Sequence, residues 1–315
     1  MNVGGHFWVA GELAGQDGMS KKSKKSKKSD LTDAVVAFVD VLGYSERVRN
    51  ISTQDELLTL DRDVAYVQKE FEHRPTQEST REVHKISRKT MLAFSDCLVI
   101  SFPVRSPEAA RMGDFDVIMS ELTGLAFSQC NCIFNDVFLR GGVDFGMWFR
   151  RRDTIISPAL VNAYDLERQA STPIIAITEG LYGYLAEHPK RRQYSERIDP
   201  IGRSFKRAEN LPNGKSHWFI DYAYICLNEI DGAIPLSQRE AYRAASEDEQ
   251  ERMRNEVFTR NWHGWARQHA AAIVKAHAGA ANACVRAKYA WLAGYHNETI
   301  EAWAGREIDD LKATL

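Results

Sequence analysis

The sequence predicts an α+β fold: a ferredoxin-like βαββαβ core, an antiparallel-rich sheet with helices on one face, followed by a helical C-terminal extension. Three observations predict it. A β-branched run, AVVAFVDV (34–41), precedes a segment with apolar residues at helical spacing. Two β-prone stretches meet at Ser95-Asp96. A second helical segment then leads into DVFLRGGVDFGMWF (136–149), where large apolar residues alternate with small or polar ones.

The elements follow in order. AVVAFVDV reads as a buried strand. Asp55 suits the cap of the next helix, whose Leu57, Leu60, Val64, Val67 and Phe71 share one face. RKTMLAFSDCLVISFPV (88–104) reads as a hairpin. Pro107 opens a helix through about Ser128, with Phe115, Ile118, Leu122 and Leu125 inward. Beyond the core, Ala159 to Ala170 and Glu179 to Glu187 read as helices and Pro173 to Ile177 as a short strand. HWFIDYAYICL (217–227) reads as a strand, and Gln238 to Gly305 as mostly helix. This organisation divides the chain into a disordered basic tail (1–30, with KKSKKSKKSD at 21–30), a core (31–235) and the helical extension (236–315).

Composition narrows the function. The chain has 315 residues, 44% hydrophobic and 27% charged, with a formal net charge of −2. That balance gives no general pull toward nucleic acid or membrane. No run of roughly 20 apolar residues suggests insertion into a bilayer. Cys97, Cys130, Cys132, Cys226 and Cys284 lack zinc spacing and are expected to be reduced thiols of a cytoplasmic protein. His263, His269, His277 and His296, with Trp262, Trp265, Trp291 and Trp303, are expected to pack within the helical extension.

The chemistry concentrates on two aspartates. In the predicted topology Asp40 lies near the end of the first strand, and Asp96 at the hairpin tip beside it. Two bare carboxylates about 4 Å apart repel by roughly 4 kcal/mol at an effective dielectric of 20, so a cation between them is expected. Mg²⁺ or Mn²⁺, sharing its shell with substrate phosphates, suits such oxygen ligands. Leu42-Gly43-Tyr44-Ser45 leads from strand to helix, where backbone N–H groups bind phosphate readily. On pattern alone, a capping role for Asp40 and a turn role for Asp96 stay open.

FVDVLGYS (38–45) and FSDCLVISF (94–102) resemble the two metal-aspartate motifs of class III nucleotide cyclases, and LRGGVDFG (139–146) and SPALVNAYDLE (157–167) follow in the same order. The chain is most similar to a bacterial branch, the pyrimidine nucleotide cyclases of Pycsar antiphage systems, which share these motifs and a tail like KYAWLAGYHN (288–297). The resemblance implies two divalent ions held by Asp40, Asp96 and the Val41 carbonyl. It also implies in-line attack of the ribose 3′-oxygen on the α-phosphorus with loss of pyrophosphate, and a homodimer with sites at the subunit interface. Phe38, Leu42, Gly43, Tyr44, Ser45 and Tyr164 are the expected nucleotide-binding residues. The product would be cyclic UMP or cyclic CMP acting on a separate effector. Two departures stand out. The asparagine–arginine pair of adenylate-type enzymes is replaced by Val161 and Asp165, or, one residue on, by Asn162 and Leu166. Loss of such a donor typically costs about 10²–10³ in rate. Arg140 is the first choice of substitute, with Arg150–Arg152 and Arg168 as alternatives. The purine-selective lysine position is Leu92. Tyr44 and Tyr164 are large enough to narrow the pocket toward a pyrimidine, a packing role for both staying open, and UTP ranks ahead of CTP; a purine cyclase and a silent nucleotide-binding module remain the other readings.

Overall fold

A computed structural model describes residues 31–72, 89–107, 109–151, 154–305 and 308–315; the expectation for the tail, 1–30, lies outside them. Strand β1 (Leu31–Val41) is an interior strand of the sheet. Val35, Ala37, Val39 and Val41 point to one side and Ala34 and Val36 to the other, all at most 2% exposed. Both faces are covered, which is why the run is continuously apolar rather than alternating.

On either side of β1 lie β3 (Cys97–Pro103) and β4 (Leu139–Arg151), both antiparallel to it. Strand β2 (Thr90–Phe94) forms a hairpin with β3. With β5 (Thr154–Ile156), β6 (Ile175–Ile177), β7 (Phe205–Ala208) and β8 (His217–Ile220), these strands make an eight-stranded sheet. The order is β2-β3-β1-β4-β6-β8-β7, with β5 paired to β4. Only the β4–β6 pairing is parallel. The βαββαβ core is therefore present, extended by strands beyond β4.

After the short helix α1 (Tyr44–Arg49) comes α2 (Gln54–Glu72). Thr53, rather than Asp55, caps α2. Its Oγ1 accepts from the Glu56 N–H at 3.2 Å, and its own N–H donates to Glu56 Oε2 at 3.0 Å, a reciprocal capping box. Leu60, Val67 and Phe71 are buried, but the first turn stands clear of the core and Leu57 is 52% exposed. The second crossover begins as α3 (Ala109–Met112), breaks at Gly113 (φ +96°) and continues as α4 (Asp114–Phe134), longer than expected. Phe115, Ile118, Leu122 and Leu125 are all buried. By length and mean hydropathy α4 is apolar enough to cross a bilayer, contrary to the sequence expectation. Here it is the core helix, packed against α2 and a later helix, α8 (Tyr222–Asn228).

The segment 217–227 is not one strand. After β8, Asp221 accepts the Tyr224 N–H and starts α8 (Tyr222–Asn228). An aspartate that can cap outweighs the local β propensity. The C-terminal helices are α9 (Arg239–Ala244), α10 (Glu247–Ala278) and α11 (Ala283–Ala304), preceded by α6 (Glu179–Ala186) and α7 (Pro200–Ser204) in the middle of the chain. The α10–α11 pair packs onto α4 and α8, and Ile273, Leu292 and Ala293 join the same core as β1. His269 and His296 are fully buried there, joined through their Nδ1 atoms at 2.9 Å.

Helices α2 and α4 lie on the face carrying Val35 and Val39. Helix α5 (Pro158–Ala170), outside the βαββαβ unit, packs on the opposite face, where Ala159 meets Ala34, Val36 and Trp148. Ser157 caps it, accepting the Leu160 N–H at 3.1 Å. The approach is close because Gly142 has no side chain: a Cβ there would stand 2.1 Å from the Ala163 carbonyl oxygen. Gly142→Ala is expected to destabilise the fold by about 1–3 kcal/mol through overpacking. Urea unfolding checks this, and an unchanged midpoint would contradict the packing.

Candidate active site

The register of β1 on β4 sets Asp40 opposite Arg140. On the other side of β1, the two-residue turn between β2 and β3 carries Asp96, with Ser95 left-handed (φ 58°). The Ser95 hydroxyl donates to the Tyr44 oxygen at 2.9 Å, tying the turn to the start of α1. Asp40, Asp96 and Cys97 each offer a ligand atom, all within 4.8 Å of one another. The two predicted carboxylates thus meet at one edge. Cys97, which sequence reasoning passed over, joins them and donates its S–H to Asp40 Oδ1 at 3.3 Å.

The electrostatics suit a cation. Burial, with the neighbouring Asp96 carboxylate, pushes the Asp40 carboxyl up to about 7. Arg140 Nη2 lies 3.4 Å from Asp40 Oδ2, and the same guanidinium pairs with the buried Glu167, whose charge adds to the rise at Asp40. Burial and Asp40 likewise push the Cys97 thiol well up, so it stays protonated. Two carboxylates at one sheet edge, one of them buried so that its negative charge is resisted, form a donor set that a divalent ion fits.

Beside the carboxylates, Gly43 takes φ +83°, a left-handed turn that starts α1. The Leu42 N–H donates to the Phe138 carbonyl at 2.9 Å and is committed to the β1–β4 ladder. Of the expected phosphate-binding segment, Gly43, Tyr44 and Ser45 follow that bond. On the sheet, register places Leu92, Val99, Phe38 and Gly142 in one row. Tyr164 of α5 meets Phe38 edge-on, ring centroids 5.2 Å apart, with the Arg168 guanidinium 5.8 Å from the Tyr164 ring. Phe38 and Tyr164 therefore form one wall, while Tyr44 stands with the hairpin turn.

The candidate arginines separate. Arg140 is held between Asp40 and Glu167, a charge partner of the carboxylates rather than an open donor. Arg150 and Arg151 lie near the opposite end of β4, next to Phe149, which pairs with Leu31 at the far end of β1 from Asp40. Arg152 falls outside the described residues. Asn162 donates to the buried Asp144 at 2.8 Å, and Thr178 donates to the other Asp144 oxygen, fixing α5 and α6 on β4. Val161 is 58% exposed on α5.

Glu167 is the other residue missed from sequence. It is 2% exposed on the buried side of α5, with Ala159, Ala163 and Ala170. The available signal was a glutamate four residues after Ala163 on an otherwise apolar helix face.

No family model and no curated protein matches the chain. Among solved structures it is similar to the adenylyl cyclase CyaB from P. aeruginosa, at 14% identity and TM-score 0.40, covering 61% of this chain and 95% of that one. It is also similar to the guanylyl cyclase domain of the RhoGC fusion protein from the aquatic fungus Blastocladiella emersonii, at 12% identity and TM-score 0.37, covering 61% and 96%. A further match is a class III adenylyl cyclase-like ATP-binding protein from Pseudomonas aeruginosa, at 14% identity and TM-score 0.35, covering 49% and 34%. The chemistry is read from the residues themselves.

Asp40 makes stability depend on pH. Its folded pKa is raised, so between about pH 4 and 7 the native state binds more protons than the unfolded state, and stability falls as pH rises through that window. Thermal melts of metal-free protein are expected to show this fall, and Asp40→Asn to flatten it. An equal slope in the variant would contradict the assignment.

Proposed function

We propose that the protein is a pyrimidine nucleotide cyclase, a phosphorus–oxygen lyase converting UTP, or less readily CTP, to the 3′,5′-cyclic monophosphate and pyrophosphate. The observation that carries the reading is the meeting of Asp40 and Asp96 beside a glycine turn, at the end of a strand that is apolar from Ala34 to Val39. Asp40, Asp96 and the Val41 carbonyl would hold two Mn²⁺ or Mg²⁺ ions. Such ions lower the pKa of a coordinated oxygen and neutralise charge on the leaving phosphates. The turn from Gly43 to Ser45 would receive the β- and γ-phosphates on its N–H groups. Phe38 and Tyr164 would flank the base, with Leu92 where a purine-selective lysine would otherwise stand.

A homodimer completes the proposal, with a second copy covering apolar side chains left at the surface. Phe94 (59% exposed), Val161 (58%), Ile156 (55%) and Tyr164 (43%) are large apolar side chains left at the surface, which supports such a contact. In a cytoplasmic setting, the cyclic nucleotide would act on a separate effector in antiphage defence. One observation favours a second reading, a silent nucleotide-binding module: Arg140 is tied to carboxylates, and Val161 and Asp165 replace the usual asparagine–arginine pair.

Incubation of purified protein with Mn²⁺ and each of ATP, GTP, CTP and UTP, with products read by mass, separates the readings. Cyclic UMP or cyclic CMP is expected; a purine product would overturn the base assignment, and no product the turnover. Asp40→Ala and Asp96→Ala are each expected to lower turnover by more than about 10³-fold, as loss of metal ligands should, with circular dichroism unchanged. An active Asp96→Ala protein would overturn the site.

A further inference from the structure

We infer that Glu167 is a positioning residue: it anchors Arg140 so that the guanidinium orients Asp40 without displacing a divalent cation from it. The inference rests on the proposed metal role of Asp40 and Asp96.

The geometry is specific. Arg140 bridges two carboxylates, Asp40 on β1 and Glu167 on α5. The Glu167 side chain is 3% exposed, against 20% for Arg140 and 18% for Asp40, so the anchor lies deeper than the group it anchors. The helix carrying Glu167 reaches the strand because Gly142, two residues after Arg140, lets the Ala163 carbonyl lie on the β4 backbone. A buried carboxylate without a cation is costly, and Arg140 meets that need. A fourth charge faces the pair from α11: Lys288, half-buried and without an ion-pair partner among the described residues, feels both Arg140 and Glu167. Its neighbour Tyr289 packs against Phe138 at the foot of β4, with ring centroids 5.0 Å apart.

Charge counting gives the reason for the anchor. Asp40, Asp96 and Glu167 against Arg140 and Lys288 leave one net negative charge on the cluster. Neutralising Glu167 leaves none, and frees Arg140 to pair with Asp40 alone. The guanidinium then competes with the metal for the same oxygen. Glu167 thus keeps the carboxylate pair negative while an arginine stands beside it.

The test is Mn²⁺ binding without nucleotide, measured by the loss of the free-ion electron paramagnetic resonance signal. Glu167→Gln is expected to weaken Mn²⁺ binding at least tenfold. The double variant R140M/E167M removes the competing cation and its anchor together, restores the wild-type net charge, and is expected to bind Mn²⁺ within about threefold of wild type. Thermal melts of each protein establish that it is folded; if Glu167→Gln fails to fold, the double variant against Arg140→Met carries the comparison. Arg140→Met alone, with one more net negative charge than the double and no competitor, is expected to bind at least as tightly as the double. Wild-type affinity in Glu167→Gln, or a double variant no tighter than Glu167→Gln, would overturn the inference. A wild-type protein that binds no Mn²⁺ would overturn the metal reading itself, a different result.

Discussion

The constraint on which the rest depends is the burial of β1 on both faces. A strand covered on both sides must be apolar along its length, and this one is, from Ala34 to Val39. Asp40 then places a carboxylate where the sheet has excluded much of the water, and Asp96 brings a second to the same edge. Neither burial nor the neighbour favours ionisation of Asp40, so its proton affinity rises unless a cation is supplied. Around that need stand the Gly43 turn, Arg140 and, beneath it, Glu167.

The same constraint explains the glycines of β4. Gly142 permits a helix on the second face of the sheet at backbone contact, and that helix delivers Tyr164 to Phe38 and Glu167 to Arg140. The fold and the site are therefore linked through one small residue. Filling that space would move the aromatic wall and the charge anchor together.

Much of this was legible in sequence, for identifiable reasons. β1, the hairpin at Ser95-Asp96 and the inward face of α4 rest on strong periodicity, and the order of elements sufficed to bring Asp40 and Asp96 together. The failures also have physical causes. Asp55 lost the cap to Thr53 because the Glu56 side chain completes a reciprocal pair with Thr53. The run 217–227 was split by an aspartate whose capping bond is not visible in a hydrophobicity pattern. Arg140 read as an open donor because its ion partner lies on a helix on the far side of the sequence motif, brought near only by the Gly142 packing. Cys97 was treated as an ordinary thiol; its position one residue after Asp96 puts it within the ligand cluster.

The central claim is that the Asp40–Asp96 edge holds metal ions that hold a pyrimidine triphosphate. Crystals grown with Mn²⁺ and a non-cyclisable UTP analogue test it most directly through manganese anomalous scattering. The account predicts anomalous peaks in contact with Asp40 and Asp96, with the triphosphate on the Gly43 turn and the base against Phe38 and Tyr164. A bound analogue without manganese at that edge, or manganese only elsewhere, would contradict it.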